Sequence, residues 1–113
     1  MKKDNQDKFD ILNRILKEIS RKKKFSPLES YVSKLLNADN DLVLKKVGEE
    51  STEFILAAKN GDKKEIIHET TDLIFHILIA LEFFNVDFEQ ILEEFEKREG
   101  VSGIDEKNAR KQS

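Results

Sequence analysis

The stretch Lys63-Lys64-Glu65-Ile66-Ile67-His68-Glu69-Thr70-Thr71-Asp72-Leu73-Ile74-Phe75-His76-Ile77-Leu78-Ile79-Ala80-Leu81-Glu82-Phe83-Phe84 decides the fold. It contains no Gly or Pro, and Asp62 just before it is an N-cap residue with Glu65 at the reciprocal position. The spacing predicts one helix running to about Phe84. Ile66, Ile67, Leu73, Ile74, Phe75, Ile77, Leu78, Ile79 and Leu81 surround most of its circumference. A helix that is apolar all round is buried on all sides. In a chain of 113 residues, that burial calls for a second subunit as well as neighbouring helices. A homodimer or larger homo-oligomer is therefore expected.

Working outward, Asn60-Gly61 closes a preceding helix from about Asp41 to Lys59 as a C-terminal cap. Asp87 caps a following one, Phe88 to about Glu99, ended by Gly100. Ser26-Pro27-Leu28-Glu29 places Ser at an N-cap, Pro at the first helical position and Glu three residues on. That predicts a short helix carrying Tyr31, Val32, Leu35 and Leu36. Phe9, Leu12, Ile15, Leu16 and Ile19 recur at helical spacing in a first helix from about Gln6 to Lys22. Connections of a few residues make neighbouring helices antiparallel. The expected fold is all-α, an antiparallel bundle of about five helices in one domain. Residues 1–24 form an N-terminal helix and basic segment, 25–100 the helical core, and 101–113 a polar tail.

Composition narrows the function classes. With 20 basic and 23 acidic residues the net charge is −3, without the basic surplus of a nucleic-acid binder. The basic run Arg21-Lys22-Lys23-Lys24 complements a helix end or is solvated, and could also meet phosphates. There is no Cys, so no thiolate metal site. The longest apolar stretch is far short of a membrane span, and no signal peptide is visible at the N-terminus. A cytoplasmic protein with neither a nucleic-acid nor a membrane partner is expected.

The polar residues inside the apolar helix carry the chemistry. Glu69 and Asp72 are three apart and share a face, and His76 lies one turn further on. Burying carboxylates without partners costs several kcal/mol each. Basic side chains, open water or a metal ion could compensate them. The preceding helix offers Glu49, Glu50 and Glu53 within about 100° of arc. Three acids on one face repel each other unless a cation binds between them. Glu53 lies about seven residues before the Asn60-Gly61 turn and Glu69 about eight after it, which places them at one height. Oxygen ligands on facing helices suit a hard cation such as Mg²⁺ or Mn²⁺, and the chemistry that follows is attack of metal-activated water on a phosphate chain.

A lone Glu-x-x-Glu is usually a solvated helix face; two facing pairs, one inside an apolar helix, favour a site. Gly48, unfavourable in a helix interior, permits close packing or leaves space beside that site. His76 reads first as a core histidine with one hydrogen bond, and His68 as a surface residue. A di-iron bundle wants two Glu-x-x-His motifs, and only Glu65-x-x-His68 is present.

Glu50-x-x-Glu53 followed by Glu69-x-x-Asp72 resembles the signature of the all-α pyrophosphohydrolase superfamily of MazG-like proteins and dimeric dUTPases. Within it, Ser30-Tyr31-Val32-Ser33-Lys34-Leu35-Leu36, Lys46-Val47-Gly48-Glu49-Glu50, Ala57-Ala58-Lys59-Asn60-Gly61-Asp62, Asp72-Leu73-Ile74-Phe75-His76 and Ser102-Gly103-Ile104-Asp105-Glu106-Lys107 resemble the phosphoribosyl-ATP pyrophosphatase family of histidine biosynthesis. The resemblance covers about residues 25 to 111. Thr70-Thr71 stands where small Ala residues are expected, and Phe75 where Tyr is frequent; neither removes an acidic residue.

The resemblance implies hydrolysis of phosphoribosyl-ATP to phosphoribosyl-AMP and pyrophosphate. It implies Glu50, Glu53, Glu69 and Asp72 as Mg²⁺ ligands, with Mn²⁺ possible in place of Mg²⁺. Glu49 would orient or deprotonate the attacking water, a role exchangeable with Glu50. Lys34 and Lys46 become candidate phosphate contacts, with Lys107 and Arg110 weaker ones. The alternatives are a house-cleaning nucleoside triphosphate pyrophosphohydrolase with the same metal site, and a non-catalytic helical dimerisation module.

Overall fold

The structure, a computed structural model, describes residues 5–100. Among them are five helices and no strand: α1 (Asn5–Lys22), α2 (Tyr31–Leu36), α3 (Asn40–Asn60), α4 (Lys63–Phe83) and α5 (Phe88–Arg98). The protein is all-α. Residues 101–113, with Lys107 and Arg110, lie outside the described residues.

Local chemistry sets the helix ends. Asp39 accepts from the Leu42 amide at 3.1 Å to start α3, and Asp62 accepts from the Lys64 amide at 2.9 Å to start α4. Between them Gly61 adopts φ 76°, and its amide reaches the Ala57 and Ala58 carbonyls. A side chain at that left-handed position would be strained, which is why glycine closes the helix there. The result is a two-residue reversal that lays α3 and α4 side by side in the most extensive helix pairing of the molecule.

One helix start differs from the sequence expectation. Ser26-Pro27-Leu28-Glu29 makes its reciprocal bonds, Ser26 N–H to Glu29 Oε2 at 2.9 Å and Leu28 N–H to Ser26 Oγ at 3.1 Å, but closes only a turn. Ser30 then adopts extended backbone, φ −163° and ψ 162°, and caps α2 by accepting from the Ser33 amide. An extended residue cannot carry a helix through, so the nearer of two cap-forming serines sets the start.

The buried core gathers Ile19 of α1, Val32, Leu35 and Leu36 of α2, Val43 of α3, and Leu78 and Ile79 of α4. Phe88 of α5 packs against its edge. The far ends of α1 and α4 are tied by the Lys23 ammonium, which donates to Asn85 Oδ1 at 2.9 Å and to the Glu82 carbonyl at 3.3 Å. Thus Lys23, from the basic run, is a tether between helices.

The expectation that α4 is buried on all sides does not hold within one chain. Leu78 and Ile79 face the core, but Ile67 is 67% exposed, and Ile74 and Ile77 are also open. Ile55 and Leu56 of α3 are open too. More large apolar side chains are exposed than buried among the described residues.

Ile79, 1% exposed in this small core, has no room to relax when truncated. Ile79→Ala is expected to cost about 2–5 kcal/mol of unfolding free energy, checked by urea titration with the exposed Ile11→Ala, expected within about 0.5 kcal/mol, as control.

Candidate functional site

The site sits on the facing sides of α3 and α4. An α-helix advances about 100° per residue, so Glu50 and Glu53 fall on one stripe of α3 and Glu69 on the stripe of α4 opposite. One carboxylate oxygen each from Glu50, Glu53 and Glu69 lie within 4.8 Å of one another. Glu50 and Glu69 are half-buried, and Glu50 Oε2 and Glu69 Oε1 are out of contact with solvent and without a hydrogen-bond partner. Unsatisfied buried carboxylate oxygens are costly unless a cation meets them.

Asp72 stands slightly apart. Three residues on from Glu69 it is rotated about 60° around α4. It groups with His68 and Glu69 within 4.8 Å, and His68 Nε2 lies 3.4 Å from Asp72 Oδ2. Glu69 therefore bridges two clusters, one with the α3 glutamates and one along α4. His68, read from sequence as a surface residue, is exposed yet belongs to the second cluster. Its i,i+4 spacing to Asp72 was the available signal. Asp72 also borders an apolar cleft of about 380 Å³ lined by Leu12, Ile15, Thr71, Ile74, Phe75 and Leu78.

Crowding is registered in the titration of Glu69. Desolvation comes first, then the neighbouring Glu53 charge, and together with Asp72 they raise its carboxyl above the ordinary glutamate value against the opposing pull of His68.

Glu49 points elsewhere. It takes the Lys46 ammonium at 3.2 Å and the Lys45 ammonium at 4.0 Å, on the exposed side of α3, and joins neither cluster. The Lys46 ammonium is raised above the ordinary lysine value, first by its hydrogen bond with Glu49, and its charge opposes the upward push that burial gives the Tyr31 hydroxyl. Lys34 is exposed on α2 one turn after Tyr31, so those two share a face. His76 is buried, and makes two hydrogen bonds where sequence spacing suggested one: Nδ1 with the Asp72 carbonyl and Nε2 with Tyr31 Oη, both 2.8 Å. Gly48 has open space where a Cβ would stand, so its lack of a side chain is not required by a close helix contact within the chain. Among the described residues no helix is long and apolar enough to cross a membrane.

Fold and site together define an all-α protein with a cluster of carboxylates between two antiparallel helices. Residues 12–99 match the family model for phosphoribosyl-ATP pyrophosphohydrolase. The protein of Nitrosospira multiformis named phosphoribosyl-ATP pyrophosphatase is 49% identical over 102 residues, covering 90% of this chain and 84% of that one. Its namesake from Nitrosomonas eutropha is 48% identical, covering 91% and 88%. That of Dechloromonas aromatica is 43% identical, covering 89% and 94%. The chain belongs to the phosphoribosyl-ATP pyrophosphohydrolase family.

A carboxyl whose folded pKa is raised binds its proton more tightly in the fold than in the unfolded chain. It therefore favours the fold at low pH and loses that advantage as pH rises through the folded value. In EDTA, Glu69→Gln is expected to melt above the wild type at pH 7.5, with the gap narrowing toward pH 4.5. Thermal melts at the two pH values check this, and a lower melting temperature for the variant at pH 7.5 would contradict the repulsion.

Proposed function

We propose that this protein hydrolyses phosphoribosyl-ATP to phosphoribosyl-AMP and pyrophosphate, the second step of L-histidine biosynthesis, using Mg²⁺ held between α3 and α4. The observation that carries the metal is the pair of buried, partnerless oxygens, Glu50 Oε2 and Glu69 Oε1, in one cluster with Glu53. All-oxygen donors of this kind fit a hard divalent cation, Mg²⁺ or equally Mn²⁺, with waters and phosphate oxygens completing its shell. Family membership supports the substrate.

In this reading Glu50, Glu53, Glu69 and Asp72 hold the cation. When bound, it neutralises charge on the departing pyrophosphate and makes water a better nucleophile at neutral pH. The protein's own groups do the rest. Glu49, which must first turn from Lys45 and Lys46, or Glu50, which already lies in the cluster, orients the attacking water and takes its proton. Lys46 and Lys34 hold phosphate oxygens, and Lys107 and Arg110 of the tail are weaker phosphate contacts. The apolar cleft next to Asp72 provides the kind of surface that an aromatic base occupies beside a phosphate site. The exposed faces of α3 and α4 support a homodimer or larger homo-oligomer, and membership in a family of small-molecule biosynthetic hydrolases supports action in the cytoplasm.

Rapid pyrophosphate release from phosphoribosyl-ATP with Mg²⁺, abolished by EDTA and absent with ordinary triphosphates, is the expected outcome. Asp72→Asn and Glu53→Gln should each lower kcat/KM by at least about a hundredfold, since a metal supplies several kcal/mol of charge stabilisation. Equal turnover of dUTP would keep the metal site and replace the substrate. Light scattering of the purified chain is expected to give at least twice the chain mass, and a monomer at all concentrations would overturn the assembly.

A further inference from the structure

Beside the carboxylates stands one imidazole whose nitrogens are not committed elsewhere. The chain has two histidines and no cysteine. His76 is buried and commits both ring nitrogens, Nδ1 to the Asp72 carbonyl and Nε2 to Tyr31 Oη, each at 2.8 Å. Among imidazoles and thiolates, the site can therefore draw on His68 alone.

His68, Glu69 and Asp72 each bring one ligand atom to within 4.8 Å of the others. Donors about 2.0–2.2 Å from one ion stand at most about 4.4 Å apart, so closing on it takes a few tenths of an ångström. Two of the side chains have room for that move, because His68 is 71% and Asp72 39% exposed. Their mutual contact does not use up the imidazole, since 3.4 Å from Nε2 to Asp72 Oδ2 is longer than a normal N–H···O hydrogen bond. The third donor is already desolvated. Glu69 Oε1 is out of contact with solvent and has no hydrogen-bond partner, although His68 adjoins it in the chain. A cation meets that oxygen and takes a lone pair from His68 and Asp72 as well.

The two donor sets that share Glu69 differ in kind. Glu50, Glu53 and Glu69 offer oxygen alone, which suits Mg²⁺. His68, Glu69 and Asp72 offer one nitrogen and two oxygens. Imidazole adds little for Mg²⁺, which holds to oxygen and to its own waters, and much for a borderline-soft ion such as Zn²⁺. Three protein donors with a further position open also match the coordination that catalytic zinc sites use. His68 and Asp72 lie one helical turn apart on α4 and Glu69 follows His68 directly, so one helix fixes the whole set and α3 supplies no ligand.

We infer that His68, Glu69 and Asp72 form a binding site for a transition-metal cation of the Zn²⁺ class, overlapping the proposed Mg²⁺ centre at two of its four carboxylates. The inference rests on that proposal for the overlap alone. An ion on this site withdraws Glu69 and Asp72 from Mg²⁺, so the two ions exclude one another. His68 is the residue that separates them, because it is a ligand to one ion and not to the other.

The test uses the full chain, stripped of metal with EDTA and exchanged into clean buffer. Zn²⁺ binding is read by competition with a chromogenic chelator, and Mg²⁺ binding by calorimetry, both at pH 7.5. Wild type is expected to hold Zn²⁺ at least about a hundredfold more tightly than Mg²⁺. His68→Ala should weaken Zn²⁺ by about tenfold or more and leave Mg²⁺ within about twofold. Glu69→Gln should weaken both ions, because both use it. In NMR spectra of the wild type, Zn²⁺ should shift the ring signals of His68 and leave those of His76 in place. Unchanged Zn²⁺ affinity in His68→Ala overturns the site. Equal losses for the two ions overturn it too, since the imidazole then only orients Asp72. If the wild type holds no Mg²⁺, the proposed catalytic centre falls, while the Zn²⁺ comparison between wild type and His68→Ala still decides this site.

Discussion

Two carboxylate oxygens out of reach of water and of any donor, Glu50 Oε2 and Glu69 Oε1, set the constraint that the site is built around. Like charges held this close repel, and desolvation adds to the cost. A fold that keeps them has to gain elsewhere, or be completed by a cation. Both hold in the proposed reading. Leu78 and Ile79 on α4 anchor the helix in the core, while its Glu69 stripe stays turned toward α3. Glu65, near the start of the same helix, borders a groove of about 270 Å³ with Glu53 and Glu69, so the repelling stripe opens to solvent at one end. That opening gives an ion and a phosphate chain a way in.

Register is what turns two acidic patches into one centre. A helix rises about 1.5 Å per residue, so a single inserted residue in the reversal would shift and rotate Glu69 relative to Glu53. Gly61 at φ 76° and the Asp62 cap make the shortest reversal that closes one helix and opens the next. The geometry of the site thus depends on two residues at the turn, about two helical turns away from Glu53 and Glu69. At the other end of α4, the Lys23 tether to Asn85 and Glu82 keeps the helix from fraying away from α1.

Much of this was legible from residue order alone. Helix content, the caps at Asp62 and Asp87, the Gly61 reversal and the meeting of Glu50 and Glu53 with Glu69 all follow from local rules: periodicity, capping chemistry and equal distance from a hairpin. What was not legible depends on choices between near-equal local options or on contacts distant in sequence. Ser26 and Ser30 can both cap a helix, and only the extended backbone at Ser30 decides between them. Tyr31 and His76 lie 45 positions apart, and no periodicity joins them. Asp72 shares a face with Glu69 by spacing, but the 60° between them is enough to send it to a neighbouring cluster with His68. The apolar belt of α4 was read as fully buried because hydropathy records what must leave water, and not which chain covers it.

That belt and the acidic stripe occupy the same helix, and this is the reason assembly and chemistry belong together in the proposed reading. Around α4, Glu69 faces α3, Leu78 and Ile79 face the core, and Ile67 and Ile74, seven residues apart and therefore nearly in line, face outward. Ile67 and Ile74 lie about 140–160° around the helix from Glu69, so another copy covering them would leave the carboxylate face open to an ion and a phosphate chain. Subunit contact on that opposite face would hold α4 in place without closing the cluster, which is how one helix can serve both assembly and chemistry.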